Sequence, residues 1–283
     1  MAETKQGKFF YGWIILAIAV LALLISNGLS IGGIPVFYKP LREEFVESGA
    51  VAAENAESFI ALGATLTFLT AGIIAPFAGW LIQKFSIRAM MLIGCVMLGS
   101  GLVLHSQAMN ASMVYASRVM MGASLGFVGV LATTVLVSNW FVKKRGMALG
   151  ILLTGTSIGG VVIPLVATPL IVEYGWRTAM IMVSLVIWLI LIPATIFIVK
   201  NNPEDVGQLP DGDLQPDEVS ETGDGEPVKR LLTGLTLREA IKTPIFWVFG
   251  ICAALVFYPI FVVSQQFILY LQSPKIGLTP PQG

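Results

Sequence analysis

The sequence predicts an all-α membrane protein of seven crossing helices, and three observations predict it. The 283 residues are 55% hydrophobic and only 12% charged, with mean hydropathy +0.82, whereas a soluble domain carries about 25% charged residues. Charge is also segregated. Seven runs contain no Asp, Glu, Lys or Arg: Phe9–Tyr38, Ser58–Gln83, Ala89–Ser117, Val119–Val142, Gly146–Val172, Thr178–Val199 and Ile245–Pro274. Each reaches the roughly 20 apolar residues that cross a bilayer. Finally, the short connections alternate between basic and non-basic, the pattern that orients a multi-pass chain.

The spans are expected at 11–38, 58–84, 87–106, 112–141, 145–173, 177–199 and 245–272. The first run is too long for a signal-peptide core and is read as a retained helix. Connection 2–3 carries Lys84 and Arg88 and connection 4–5 carries Lys143, Lys144 and Arg145, with no acid in either. Connection 1–2 sets Lys39 and Arg42 against five acids, connection 3–4 has no basic residue, and connection 5–6 has only Arg177. The even-to-odd connections and the N-terminus, with Lys5 and Lys8, are therefore expected in the cytoplasm and the protein in the cell membrane.

After span 6 the composition changes. Residues 201–228 hold nine acids and no Lys or Arg, a makeup that predicts a disordered linker. The linker ends in "TLREAIKTPIFW", where Thr236 and Glu239 have capping-box spacing, predicting a short surface helix. Pro244 then opens span 7, where its missing N–H costs little. The expected division is 1–200, a six-helix membrane bundle; 201–243, a cytosolic acidic linker with a short helix; and 244–283, span 7 and the start of a further bundle. The chain stops eleven residues after Gln272, too few for another span. An odd seventh span after a linker predicts that a second bundle is incomplete here.

Several function classes find no support. Zero formal net charge and scattered basic residues give no nucleic-acid surface. Cys95 and Cys252 lie inside apolar runs and read as packing residues rather than a disulfide framework. His105 is the only histidine, so no metal-ligand spacing exists, no cofactor is expected, and no nucleophile–base pair suggests an enzyme.

Arg118 breaks the pattern of the spans, in "YASRVMMGASLGFVG". A charge at the centre of a membrane helix costs about 2.5–3.5 kcal/mol. Either it snorkels to nearby headgroups, or it points inward at a cavity or a span 1 carbonyl near Asn27. Gly122 and Gly126 follow at four and eight residues, on its own helical face. Small residues at that spacing let helix backbones pack closely, which favours the inward reading. Span 5 reads "GMALGILLTGTSIGGVVIP", with Gly146–Gly150 and Gly155–Gly159 at the same spacing and Gly160 and Pro164 after them. This predicts close packing in a slightly bent helix and suits a helix that rocks between states.

These stretches carry a family resemblance. "GWLIQKFSIR", from Gly79 to Arg88, resembles the loop 2–3 signature of the major facilitator superfamily, and "RVMMGASLG" and "GTSIGGVVIP" resemble its helix 4 and helix 5 signatures. Within it, "FFYGWIIL", "NWFVKKRGMALGI", "EYGWRTAM", "NNPEDVGQLPDGD" and "TLREAIKTPIFW" are similar, in this order, to the monocarboxylate transporter and bacterial oxalate/formate antiporter branch. There are departures. Gln83 stands where the signature has an acid, and Ser86 where it has a second glycine; in the family that acid joins a cytoplasmic latch with the second bundle, so the latch is expected to be weaker here, or absent. Span 1 also lacks the lysine of the animal monocarboxylate transporters.

The resemblance implies a major facilitator-type N-terminal six-helix bundle of inverted three-helix repeats, followed by helix 7 of a second bundle, with substrate bound at the midplane between bundles. It implies secondary transport of a small organic anion, a mono- or dicarboxylate, by alternating access. Coupling would be by exchange or proton symport; no Asp or Glu lies in the interior of any span, which leans toward exchange. The implied partners are the substrate, the lipid bilayer and the missing C-terminal bundle of the same protein. Polar residues within spans supply the cavity candidates: Asn27, Ser30, Thr65, Thr154, Tyr258, Gln265 and Gln266, beside Arg118. For each, a helix-packing hydroxyl or amide is the competing reading. A non-transporting sensor, or a half-bundle working as a dimer, remains the alternative function.

Overall fold

Among the described residues every regular element is a helix, as the uncharged runs predict. The computed structural model describes residues 9–212 and 237–271, in two units, Met1–Asp213 and Leu214–Gly283. In the first unit α1 (Gly12–Asn27) continues through a π turn (Gly28–Gly32) and a 3-10 turn (Ile34–Phe37) into α2 (Tyr38–Glu47). Next come α3 (Ala56–Lys84), α4 (Ile87–Ser106), α5 (Ala111–Val128), α6 (Val130–Trp140) and α7 (Arg145–Val186). A second π turn (Ile187–Leu191) leads into α8 (Ile192–Phe197). The second unit holds α9 (Leu237–Ala240) and α10 (Pro244–Leu271). α9 lies within the "TLREAIKTPIFW" stretch, and Pro244 opens α10. Thr236 of the expected capping box lies outside the described residues.

The helix ends follow from local chemistry. Ser86 and Asn110 accept hydrogen bonds from the amides of Ala89 and Met113 and so cap α4 and α5. Gly175 takes φ 77°, ψ 157° and divides the long α7 between Arg145 and Val186 into two spans. That left-handed φ is open to glycine at little cost. Two interruptions were not foreseen. Span 1 loosens into the π turn, within the glycine-rich "NGLSIGG". Span 4 breaks at Gly129, which separates α5 from α6. Gly94 of α4 makes room there: a Cβ on it would meet Val128 and Phe127 under 3.0 Å. The Ser26 hydroxyl of α1 donates to the Val128 carbonyl at 3.4 Å, giving a partner to a group that the break takes out of the helix ladder.

Packing follows a two-repeat pattern. Span 1 packs on span 5 as span 4 packs on span 2, and span 3 meets span 6. One end of the bundle, the base, gathers residues 9–11, the turn at Phe85–Ser86, residues 141–144 and the stretch after α8. The last corrects the expectation of a linker disordered from residue 201. Residues 203–206 form a 3-10 turn closed by a reciprocal Asn202–Asp205 capping box, and residues up to Gly212 are folded into the first unit. Acidic composition predicts disorder only where the carboxylates lack partners; here they cap backbone amides.

The opposite end is held by Glu44, on the unforeseen α2. Trp176 Nε1 donates to Glu44 Oε2 at 2.6 Å. Arg177 donates to Glu44 Oε1 from Nε and Nη2, and to the Ser106 and Ala108 carbonyls from Nη1 and Nη2. One guanidinium thereby ties α2, the end of α4 and the start of span 6. Burial opposes ionisation of Glu44, but the hydrogen bonds from Arg177 and Trp176, with the Arg177 charge, outweigh it and hold the carboxyl below its ordinary value of 4.5. A carboxyl lowered in the folded state stabilises fully above its unfolded value and loses that contribution as pH falls through the folded one. Glu44→Gln is therefore expected to lower the thermal midpoint at pH 7 by on the order of a few degrees. The gap from the parent should close as pH drops below 4.5. A gap independent of pH between 3 and 7 would remove the charge from the explanation.

Candidate functional site

Arg118 is buried at 2% exposure, between α5, α3 and α2. It does not snorkel. Its guanidinium carbon lies 5.1 Å from the centre of the Tyr38 ring, so the cation faces an aromatic surface. Gly63 of α3 sits against its stem, where an added Cβ would come 3.7 Å from Cγ and 3.8 Å from Nε. The Thr67 hydroxyl bridges the Gly63 and Arg118 carbonyls at 3.2 and 3.3 Å. Among the described residues no Asp or Glu pairs with Arg118, and its Nε has no hydrogen-bond partner. His105 is buried beside it, with Nδ1 at 2.7 Å from the Ser117 hydroxyl and Nε2 unpartnered among the described residues. A buried cation with no acidic partner among the described residues attracts anions, because the low dielectric screens it little.

The glycines on the arginine's face form the seam between spans 4 and 2. A Cβ on Gly122 would meet the Thr67 carbonyl, and one on Gly126 the Ile74 side chain, both under 3.0 Å. Spans 5 and 1 form the matching seam. Gly155 lies against the Val20 carbonyl, Gly159 against the Leu24 carbonyl and Gly28, and Gly32 against Gly160, each with room for hydrogen only. Gly146 and Gly150 have the same spacing but face open space. Pro164 lies within α7, and its carbonyl accepts from the Thr168 hydroxyl at 2.7 Å.

Asn27 and Ser30 are buried on span 1. Asn27 is not the neighbour of Arg118. Its Nδ2 donates to the Thr156 hydroxyl at 2.9 Å, a polar pin across the glycine seam, while Arg118 turns to Tyr38 and α3. The Ser30 hydroxyl has no partner among the described residues. Thr65 and Thr154 are exposed on the unit, and their hydroxyls bond back to the Ala61 and Ile151 carbonyls. Tyr258, on α10, is 73% exposed within its own unit. The side chains of Gln265 and Gln266 lie outside the described residues. In the expected loop signature, Gly79 packs near Leu131 and Gln83 is exposed. Lys84 Nζ lies 5.2 Å from the Trp80 ring centre. Arg88 is turned inward, its Nη2 donating to the Ile196 carbonyl.

Sequence reasoning missed Tyr38, Gly63, Thr67 and Thr156. Gly63 and Thr67 are an i, i+4 small pair on α3, the signal used for Gly122 and Gly126. Tyr38 carried no signal, because only the turn after α1 brings it over span 4.

The sequence pattern of the Major Facilitator Superfamily matches residues 12–279. Similar proteins include the uncharacterised MFS-type transporter YcxA of Bacillus subtilis, 27% identical over 149 residues, which cover 52% of this chain and 36% of that protein. Monocarboxylate transporter 14 of Mus musculus is 28% identical over 178 residues, 62% of this chain and 32% of the relative. The riboflavin transporter RibJ of Trypanosoma brucei brucei is 26% identical over 172 residues, 60% and 31%. The matched stretches span about a third of the length of these relatives.

Proposed function

The chain belongs to the Major Facilitator Superfamily, whose members are transporters rather than enzymes, and from that premise we propose that it forms the first six-helix bundle and opening helix of a secondary transporter of small organic anions. The substrate would be a mono- or dicarboxylate, carried by alternating access between two bundles as an exchanger or proton symporter. Arg118 carries this reading. A buried cation without an acidic partner among the described residues is an unusual expense in a bundle whose spans carry no other charge at depth, and an anion is the complement that would use it. The name of the monocarboxylate transporter relative supports the same substrate class. Asn27, Ser30, Thr65 and Thr154 are proposed to line the route, with Tyr258, Gln265 and Gln266 contributed by the seventh span.

Uptake into proteoliposomes by the chain extended with a complete second bundle tests this, using a panel of carboxylates and riboflavin with and without a pH gradient. Carboxylate uptake is expected, stimulated by trans-anion or by inward acid. Riboflavin uptake without any carboxylate uptake would overturn the anion reading.

The N-terminus and the base are proposed to face the cytoplasm, from the basic residues gathered there. Single cysteines at Glu204 and Gly49 should label oppositely with an impermeant thiol reagent on intact cells, Gly49 reacting and Glu204 protected. The reverse pattern would invert the topology.

A further inference from the structure

Residues 199–212, which follow span 6, cross the base of the bundle and meet the starts of three other spans there. At each, a side-chain acceptor meets amides at or before a helix start. Gln208 Oε1 accepts from the Tyr11 amide at 2.9 Å, at the start of α1. Asn201 Oδ1 accepts from the Arg88 amide at 3.0 Å, in the first turn of α4. Asp211 accepts from the amides of Val142, Lys143 and Lys144 at 2.9, 2.6 and 3.2 Å, leading into α7. All three spans, the first, third and fifth, begin at the base, and their first amides have no partner inside their own helices.

The crossing segment is itself built to hold this position. Asp205 closes it on the Asn201 and Asn202 amides at 3.1 Å each. Gln208 Nε2 donates to the Phe9 carbonyl at 2.9 Å, so one side chain grips the chain before α1 at two points. The Tyr11 hydroxyl donates to the Ile198 carbonyl, Trp140 Nε1 to the Lys200 carbonyl, and Asn139 Nδ2 to the Asn201 carbonyl. Phe10 stands edge-on to Phe141, 5.4 Å between ring centres, and its ring lies against Gly212. Asp211 adopts φ 60°, the one non-glycine residue with positive φ among the described residues. Aspartate tolerates that region better than most residues, but it still costs energy. Its three amide contacts are charge-assisted and offset that cost.

We propose that residues 199–212 are a strap that caps three odd-numbered spans at once, so that the end of span 6 and the starts of spans 1, 3 and 5 behave as one rigid body. Asn201, Gln208 and Asp211 are its three grips, on spans 3, 1 and 5. The strap joins both three-helix repeats, since spans 1 and 3 belong to one and spans 5 and 6 to the other. Local opening of the base then requires release of the whole strap, not of one cap. This inference stands on the hydrogen bonds alone and does not depend on which solute is carried.

Hydrogen–deuterium exchange on the 283-residue chain in lipid nanodiscs tests it. Asp211→Ala should accelerate exchange of the Val142, Lys143 and Lys144 amides by about tenfold or more, the order expected for losing charge-assisted hydrogen bonds. It should also accelerate exchange at Tyr11 and Arg88, which Asp211 does not touch. Gln208→Ala should propagate the other way, from Tyr11 to residues 142–144. Glu204→Gln, which removes a charge from an exposed strap side chain, should change neither. Unchanged exchange at 142–144 in Asp211→Ala overturns the role of Asp211. Effects confined to the amides that the substituted residue holds, in both variants, show separate caps and overturn the strap. Should Asp211→Ala fail to accumulate, the Gln208→Ala profile decides alone: spread to residues 142–144 supports the strap, and confinement to Tyr11 rejects it.

Discussion

Replacing Arg118 by methionine is expected to cut transport by the chain joined to a second bundle about tenfold to a hundredfold, while leaving the first bundle as stable as before, or more so. The expectation comes from comparing magnitudes. Keeping a charge at membrane depth costs about 2.5–3.5 kcal/mol, and one aromatic contact such as that with Tyr38 returns about 0.5–2. No acid among the described residues makes up the difference. An apolar side chain of similar length fills the same space without the desolvation cost, as seen when buried charges are replaced by well-packed apolar groups. If an anion is the missing partner, losing the guanidinium should reduce uptake by about tenfold to a hundredfold, the value of hydrogen bonds to a charged group. Arg118→Lys should be impaired as well, because lysine keeps the charge but loses the planar fork, and Arg118→Ala more severely, since it also leaves a cavity. Each variant is compared for uptake and for thermal midpoint at matched membrane abundance. A methionine variant that transports normally would sink the anion-site reading. One that unfolds without transporting would make the arginine a structural element only.

The spans were legible because the bilayer imposes a strong, local rule: about 20 apolar residues without charge. The glycine seams were legible for a similar reason, since close backbone approach leaves a mark at fixed spacing. Spacing alone did not say which glycines were used. Gly155 and Gly159 contact span 1, whereas a Cβ added to Gly146 or Gly150, written the same way, would meet no neighbouring element within 4 Å. Arg118 was legible as an anomaly and as an inward-facing residue, but its neighbours were not. Tyr38 reaches it only because the chain after α1 turns through 3-10 geometry into α2, a tertiary outcome of the "GGIP" stretch. The strap was misread for a different reason. Composition treats acids as solvated, whereas Asp205 is spent on the nearby Asn201 and Asn202 amides and Asp211 on the amides of Val142, Lys143 and Lys144, far away in the chain.

Gly159→Leu is expected to be the most damaging single change in the seam between spans 1 and 5, followed by Gly155→Leu. Even the first carbon of a side chain at either position would sit under 3.0 Å from a backbone carbonyl oxygen of α1, Leu24 for Gly159 and Val20 for Gly155. A carbonyl on a helix cannot swing aside as a side chain can, so the two helices must separate. Separation would also break the Asn27–Thr156 hydrogen bond, 2.9 Å across the same seam, and pull Gly32 away from Gly160. Overpacking of this kind costs about 1–3 kcal/mol for a tolerated insertion, and more when backbone is the obstacle, so loss of most correctly assembled protein is expected for Gly159→Leu. Gly159→Ala should show a milder loss of the same kind. Gly150→Ala, with open space around it, should leave the thermal midpoint of the chain unchanged, and so should Leu153→Ile on the exposed side of α7. Abundance and monodispersity after extraction give the first reading, and the thermal midpoint the second. If Gly159→Leu matched Gly150→Ala in both, spans 1 and 5 would not be packed backbone to backbone, and the close packing predicted from the glycine spacing of span 5 would lose its physical basis.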